Sequence, residues 1–106
     1  MKAAKKTTKP SLKQRYVIVR TYSAGVFAGY LVSRKGKEVV LRDARRIWYW
    51  TGAATLSELA VRGTKSPGTC KFPCSVASIE LIEAIEIIDV TAEAQASIAE
   101  VPEWKA

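Results

Sequence analysis

Three short runs of β-branched and aromatic residues, separated by glycine-bearing breaks, restrict this chain to a β-rich fold. Residues 16–22 include Tyr16, Val17, Ile18, Val19 and Tyr22, and residues 26–33 include Val26, Phe27, Tyr30, Leu31 and Val32. These are the residue types that fit a pleated, half-buried surface, so both runs read as strands. Ser23-Ala24-Gly25 lies between them and is short enough for a hairpin in which glycine supplies a positive φ. Arg34-Lys35-Gly36-Lys37 makes the next turn, and residues 38–41 form a third strand that resumes over residues 46–50. Three consecutive antiparallel strands make a meander.

The pattern changes at Thr55-Leu56-Ser57-Glu58, which matches a capping box: the threonine oxygen accepts from the third amide and the glutamate reaches back toward the cap. A two-turn helix follows, with Leu56, Leu59 and Ala60 on one face and Gly63 placed to end it in a left-handed conformation. Residues 64–73 hold Pro67, Gly68 and Pro73 and read as a loop. Over residues 75–90, Glu80, Glu83 and Glu86 recur every third position as on a helix. The isoleucines and Val76 and Val90 favour two strands joined near Glu83 instead. Thr91 caps a final helix in which Ala94, Ile98 and Val101 share a face, Pro102 follows its end, and Trp104 folds back on the core.

The expected fold is therefore mainly β within the α+β class. It is a small, highly bent, five-stranded antiparallel barrel with a short inserted helix and a C-terminal helix, similar in pattern to Sm-like or SH3-like barrels. Sm-like barrels form rings, so a homo-oligomer is expected. At 106 residues the chain suits one domain over residues 15–106, preceded by a flexible basic arm over residues 1–14 that carries five lysines and no acid. No apolar run approaches the roughly 18–20 residues of a membrane helix, and the start lacks the apolar stretch of a signal peptide. A cytoplasmic protein without a membrane partner is the expectation.

The net charge of +7 conceals a division. Residues 1–75 carry sixteen Lys or Arg against three acids, whereas residues 76–106 carry one Lys against seven acids. The two parts either neutralise each other across the fold or present a basic face to an anionic partner; the second reading is preferred, because such a field concentrates anions. Enzymatic chemistry has little to build on. The chain has no histidine, Asp43 is flanked by arginines that keep it ionised, and Cys70 and Cys74 have no base. Nor do two cysteines complete a four-ligand zinc site, so they read as reduced, partly buried thiols. No metal, cofactor or catalytic residue is expected.

What remains is binding chemistry, densest at residues 42–52. Arg45 and Arg46 supply guanidinium forks for phosphate oxygens, and Trp48, Tyr49 and Trp50 supply rings on which bases stack. On a strand, Trp48 and Trp50 would face one side and Ile47 and Tyr49 the other, so one set is core. A second candidate is the 21–27 segment, where Tyr22, Ser23 and Gly25 let a ligand approach the backbone. A third is Arg62-Gly63-Thr64-Lys65-Ser66, in which Lys65 could close over an anion although the spacing of a nucleotide-triphosphate phosphate loop is absent.

Arg20-Thr21-Tyr22-Ser23-Ala24-Gly25-Val26-Phe27-Ala28-Gly29, followed by Ala44-Arg45-Arg46-Ile47-Trp48-Tyr49-Trp50-Thr51-Gly52-Ala53 and Leu56-Ser57-Glu58-Leu59-Ala60, resembles a family of small bacteriophage and prophage proteins of unassigned function. That resemblance implies a setting in the host cytoplasm and no catalytic residues. Some small phage proteins act as sponges that sequester the cyclic nucleotides of bacterial defence, which need arginines for phosphates and aromatic rings for bases. The expected function is therefore binding and sequestration of a phosphate-containing nucleotide such as a cyclic oligonucleotide immune signal. The alternatives are a DNA- or RNA-binding module and a phage assembly subunit whose aromatics anchor an interface.

Overall fold

β1 (Tyr16–Thr21) is the strand on which both cores are built. Val17, Ile18 and Val19 are all fully buried, which explains an uninterrupted β-branched run where a one-faced strand would alternate with polar residues. The computed structural model describes residues 15–106, and the arm expected over residues 1–14 lies outside them. β2 (Val26–Lys35) and β3 (Glu38–Arg46) continue the meander. β4 (Val76–Leu81) pairs with β3, and β5 (Ala84–Asp89) returns to pair with β1, giving the antiparallel order β4-β3-β2-β1-β5. Residues 76–89 are two strands, as their isoleucine and valine content predicts.

The connection from β4 to β5 forces the sheet to bend. Across a flat five-stranded sheet the edges lie about 19 Å apart at ~4.8 Å per strand. The three steps from Leu81 to Ala84 reach at most about 11 Å. The edges are accordingly drawn together at this end, where the Tyr22 amide donates to the Glu83 carbonyl at 2.9 Å and the Ala84 amide to the Lys37 carbonyl at 3.0 Å. The result is a strongly bent, barrel-like sheet that is not closed, since β4 and β5 share no pairing among the described residues.

Bending gives the sheet two buried faces. Val17, Val19, Phe27, Val39, Leu41, Ala44 and Leu81 cluster on the inner face; among the described residues no helix covers them, and the sheet's own curvature shields them from water. Ile18, Ala28 and Ile47 on the outer face pack beneath α1 (Leu56–Arg62) and α2 (Ala92–Glu100), meeting Leu59, Ala60, Phe72 and Ile98. Each fully buried aliphatic side chain stabilises the fold by about 1.5–3 kcal/mol.

Both helices start where capping residues predict. Thr55 accepts from the Glu58 amide at 3.1 Å, and Glu58 accepts from the Ala54 amide at 2.8 Å. That Ala54 hydrogen bond, helped by nearby Arg62, holds the Glu58 carboxyl below its usual range. Thr91 accepts from the Ala94 amide at 3.0 Å. Gly63 ends α1 at φ 78°, and a Cβ there would lie 2.3 Å from Ser97 Cβ, so glycine is required both by the backbone and by the closeness of α2. Among the described residues no helix is long and apolar enough to cross a membrane.

β3 departs from its expected boundaries. It runs unbroken to Arg46 and stops there, so residues 47–50 are not strand. Tyr30 pairs with Arg42 but Ala28 with Arg45, which leaves one extra residue on β3. Asp43 occupies that position at φ 51°, a left-handed conformation that aspartate tolerates better than most residues. The bulge exchanges the faces of every residue after it: Leu41 and Ala44, three apart, both enter the inner core.

Candidate functional site

The bulge at Asp43 decides where the two candidate arginines go. Arg45 turns to the outer face and lies over the Phe72 ring, 5.3 Å from its centroid, whereas Arg46 turns to the inner side and lies 4.4 Å from the centroid of Phe27. The expectation that both forks converge on one ligand is therefore corrected. They point to opposite faces of the sheet.

Their hydrogen bonding differs as much as their direction. Arg45 donates to the Ile98 carbonyl at 3.0 Å, to the Phe72 carbonyl at 3.2 Å and to the Pro73 carbonyl at the outer limit of 3.5 Å. Ile98 is in the last turn of α2, where the dipole is negative; its carbonyl also accepts from the Val101 amide at 3.2 Å, so the guanidinium is a second, charged donor to the helix end. Burial pushes its pKa below the usual arginine range. Arg46 makes one such bond, from Nη1 to the Ala24 carbonyl at 2.7 Å.

Ala24 is held in place by Thr21, whose buried hydroxyl donates to the Gly25 carbonyl at 2.7 Å and accepts from the Ala24 amide at 2.9 Å. With Gly25 at φ 110°, this tight turn brings the 23–25 backbone up to the arginine. A cleft of about 340 Å³ opens there, lined by Ser23, Gly25, Arg46, Ile47, Trp48 and Trp50 among others. Five candidates read from sequence, namely Ser23, Gly25, Arg46, Trp48 and Trp50, thus meet in one place.

Residues 47–50 do not alternate as a strand would. Ile47 is buried and Trp50 packs against the outer core, while Trp48 is 58% and Tyr49 47% exposed. The segment is instead held by the Ile47 amide, which donates to the Val26 carbonyl at 2.8 Å, and by Tyr49 and Lys71, which exchange backbone hydrogen bonds of 3.3 and 2.8 Å. Phe72 in turn bridges in parallel to Glu103, and the Trp104 amide donates to the Phe72 carbonyl at 3.0 Å. Trp104 was expected to fold back on the core; it stacks instead on Trp48, with centroids 5.1 Å apart and planes 26° apart, and is 42% exposed. The Lys71 ammonium lies 5.8, 5.7 and 5.5 Å from the ring centroids of Trp48, Tyr49 and Trp104. Neither Lys71 nor Trp104 was a sequence candidate.

The remaining candidates lie elsewhere. Tyr22 is 76% exposed just past β1 and does not line the cleft. Lys65 is exposed in a loop whose amide donates to the Gly52 carbonyl at 3.1 Å, and it too is outside the cleft. Both cysteines are free, Cys74 exposed and Cys70 buried; Cys70 Sγ sits 3.5–3.7 Å from polar atoms of Thr51, Thr64 and Ser66. The division of charge is partly neutralised within the fold, by Arg15, just before β1, with Asp89 at 2.7 Å and by Arg20 of β1 with Glu86 of β5 at 2.9 Å.

A second cleft, of about 360 Å³, lies on the Arg45 side and includes Tyr16, Tyr30, Asp43, Gln95 and Glu103. Tyr16 meets Tyr30 edge to face at 5.1 Å, and the Gln95 amide donates to the Tyr30 hydroxyl at 2.8 Å. Burial, with the neighbouring Tyr30 second, pushes the Tyr16 phenol up to about 12. This cleft pairs two carboxylates with an arginine already tied to carbonyls, and is a poor anion site.

A family model described as a domain of unknown function, DUF6948, matches residues 14–98. The comparisons with curated proteins and with solved structures found no match. The matched stretch contains the whole meander, the arginine cleft and Lys71, and ends before Trp104. The chain belongs to the DUF6948 family.

Proposed function

We propose that this protein binds a phosphate-containing nucleotide in the cleft between the 23–25 turn and residues 46–50, and acts by sequestering it. The observation that carries this reading is Arg46. One nitrogen is fixed on the Ala24 carbonyl while the guanidinium lies over Phe27, so the fork is oriented in advance and keeps donors for phosphate oxygens. Trp48 and Trp50 line the same cleft and offer faces for a base. The excess of positive charge raises the local concentration of such a ligand. A cyclic oligonucleotide of the kind used in bacterial immune signalling fits these requirements, and sequestration asks for no catalytic group.

A second reading, a module for single-stranded DNA or RNA, is favoured by the exposure of Trp48, Tyr49 and Trp104 beside Lys71. The outer edges of β4 and β5, unpaired among the described residues, offer surfaces for the homo-oligomer that either role would use. Calorimetry with a cyclic dinucleotide, a cyclic trinucleotide and a short single-stranded oligonucleotide, each at two salt concentrations, separates the readings. Saturable binding of a cyclic species that survives moderate salt is the expected result. Binding to the polymer alone, lost as salt rises, supports the second reading; silence toward every probe contradicts both.

A further inference from the structure

The geometry points to a ligand of at least two nucleotides, with a second subsite formed by Trp104 and Lys71 beside the Arg46 cleft. This inference rests on the nucleotide reading above and deepens it. Trp48 belongs to both places: it lines the cleft with Arg46, and it stacks on Trp104 at 5.1 Å. One base can cover the part of Trp48 that faces the cleft. Trp104, stacked on Trp48 and 42% exposed, adds aromatic surface beyond the cleft on which a second base can stack.

The charge follows the same layout. Arg46 serves the cleft, while the Lys71 ammonium, at 5.5–5.8 Å from three ring centroids, marks the place where a second phosphate would lie alongside the stacked rings. A cation so placed is held by the ring quadrupoles and still has its donors, because an ammonium over ring faces satisfies none of them as hydrogen bonds. The surface is also set before any ligand arrives. The Tyr49–Lys71 and Phe72–Glu103 bridges fix the backbone of all three segments, so the chain that carries the rings does not have to be ordered on binding. Three large aromatic side chains left 42–58% exposed side by side are more than a monomer's surface ordinarily shows, and the cation among them favours an anionic, flat partner.

The test uses the full chain with three probes: adenosine monophosphate, the linear dinucleotide pApA and cyclic di-adenosine monophosphate. In wild type, the dinucleotides bind at least tenfold more tightly than the mononucleotide. Trp104→Ala and Lys71→Ala, each checked for an unchanged melting temperature, bring the dinucleotides down to the mononucleotide's affinity and leave the mononucleotide unaffected. Trp104→Phe restores most of the difference. Arg46→Glu weakens all three probes. Equal affinities for one and two nucleotides in wild type, or a Trp104→Ala variant that keeps the dinucleotide preference, would overturn the second subsite and leave the cleft standing. Absence of binding by all three probes would overturn the cleft as well.

Discussion

The two clefts that flank the end of β3 hold similar residues and differ in chemistry. Each has an arginine and at least two aromatic rings, supplied on one side by Arg45, Tyr16 and Tyr30 and on the other by Arg46, Trp48 and Trp50. Arg45 donates to carbonyls at the end of α2 and in the 72–73 segment, closing a gap in the fold. Arg46 donates to one carbonyl in an exposed turn. Residue type therefore does not make the site; what matters is how many donors the fold has already taken up, and adjacent residues answer that differently because a strand alternates its faces.

Removing Arg45 sharpens this contrast most strongly. Arg45→Ala leaves the Ile98 and Phe72 carbonyls without a charge-assisted partner, and a loss of about 2–3 kcal/mol in urea unfolding is expected. Nucleotide affinity, measured where the variant is still folded, stays within about twofold of wild type. A variant that loses affinity but not stability would exchange the roles of the two arginines.

The next largest effect reports how dry the Arg45 side is. Tyr16 has a pKa raised from 10.0 to about 12 in the folded protein, so its neutral form is favoured by folding. The corresponding stability is present in full below pH 10 and is lost as pH rises toward 12, by an amount on the order of 2 kcal/mol. Denaturant titrations across that window should show a smaller alkaline loss in Tyr16→Phe than in wild type. An identical slope would mean that water reaches Tyr16 freely.

Arg46→Glu should weaken cyclic dinucleotide binding at least tenfold, about 1.4 kcal/mol. Smallest of all is its effect on folding: because Arg46 makes one hydrogen bond in an exposed turn, thermal melts should place the cost under about 1 kcal/mol. A collapse of the melting temperature would put Arg46 in the same class as Arg45.

Local chemistry made much of the fold legible in the sequence. The Thr55 and Thr91 caps, the Gly63 stop and the β-branched runs at β1, β4 and β5 act through neighbouring residues, and each is found where its residues predict. The strand order was not legible: a two-residue link at Ile82-Glu83 ordinarily makes a hairpin, yet β4 pairs with β3 and β5 with β1, on opposite edges of the sheet. Asp43 defeated the reading of β3. A single left-handed residue reverses the faces of Arg45 and Arg46, and nothing in Arg42-Asp43-Ala44 distinguishes a bulge from a regular strand. Half of the site was legible for the same reason: Arg46, Trp48 and Trp50 are close in sequence, and the 23–25 turn pairs with them across a hairpin. Lys71 and Trp104 reach the aromatic cluster through the long-range bridges Tyr49–Lys71 and Phe72–Glu103, for which sequence spacing carries no signal.

The division of labour between the arginines can be observed directly by nuclear magnetic resonance of their Nε–H groups during titration with cyclic di-adenosine monophosphate. The Arg46 signal is expected to move progressively to saturation while the Arg45 signal stays in place. Movement of Arg45 with Arg46 unchanged, or no movement of either at saturating ligand, would contradict that division.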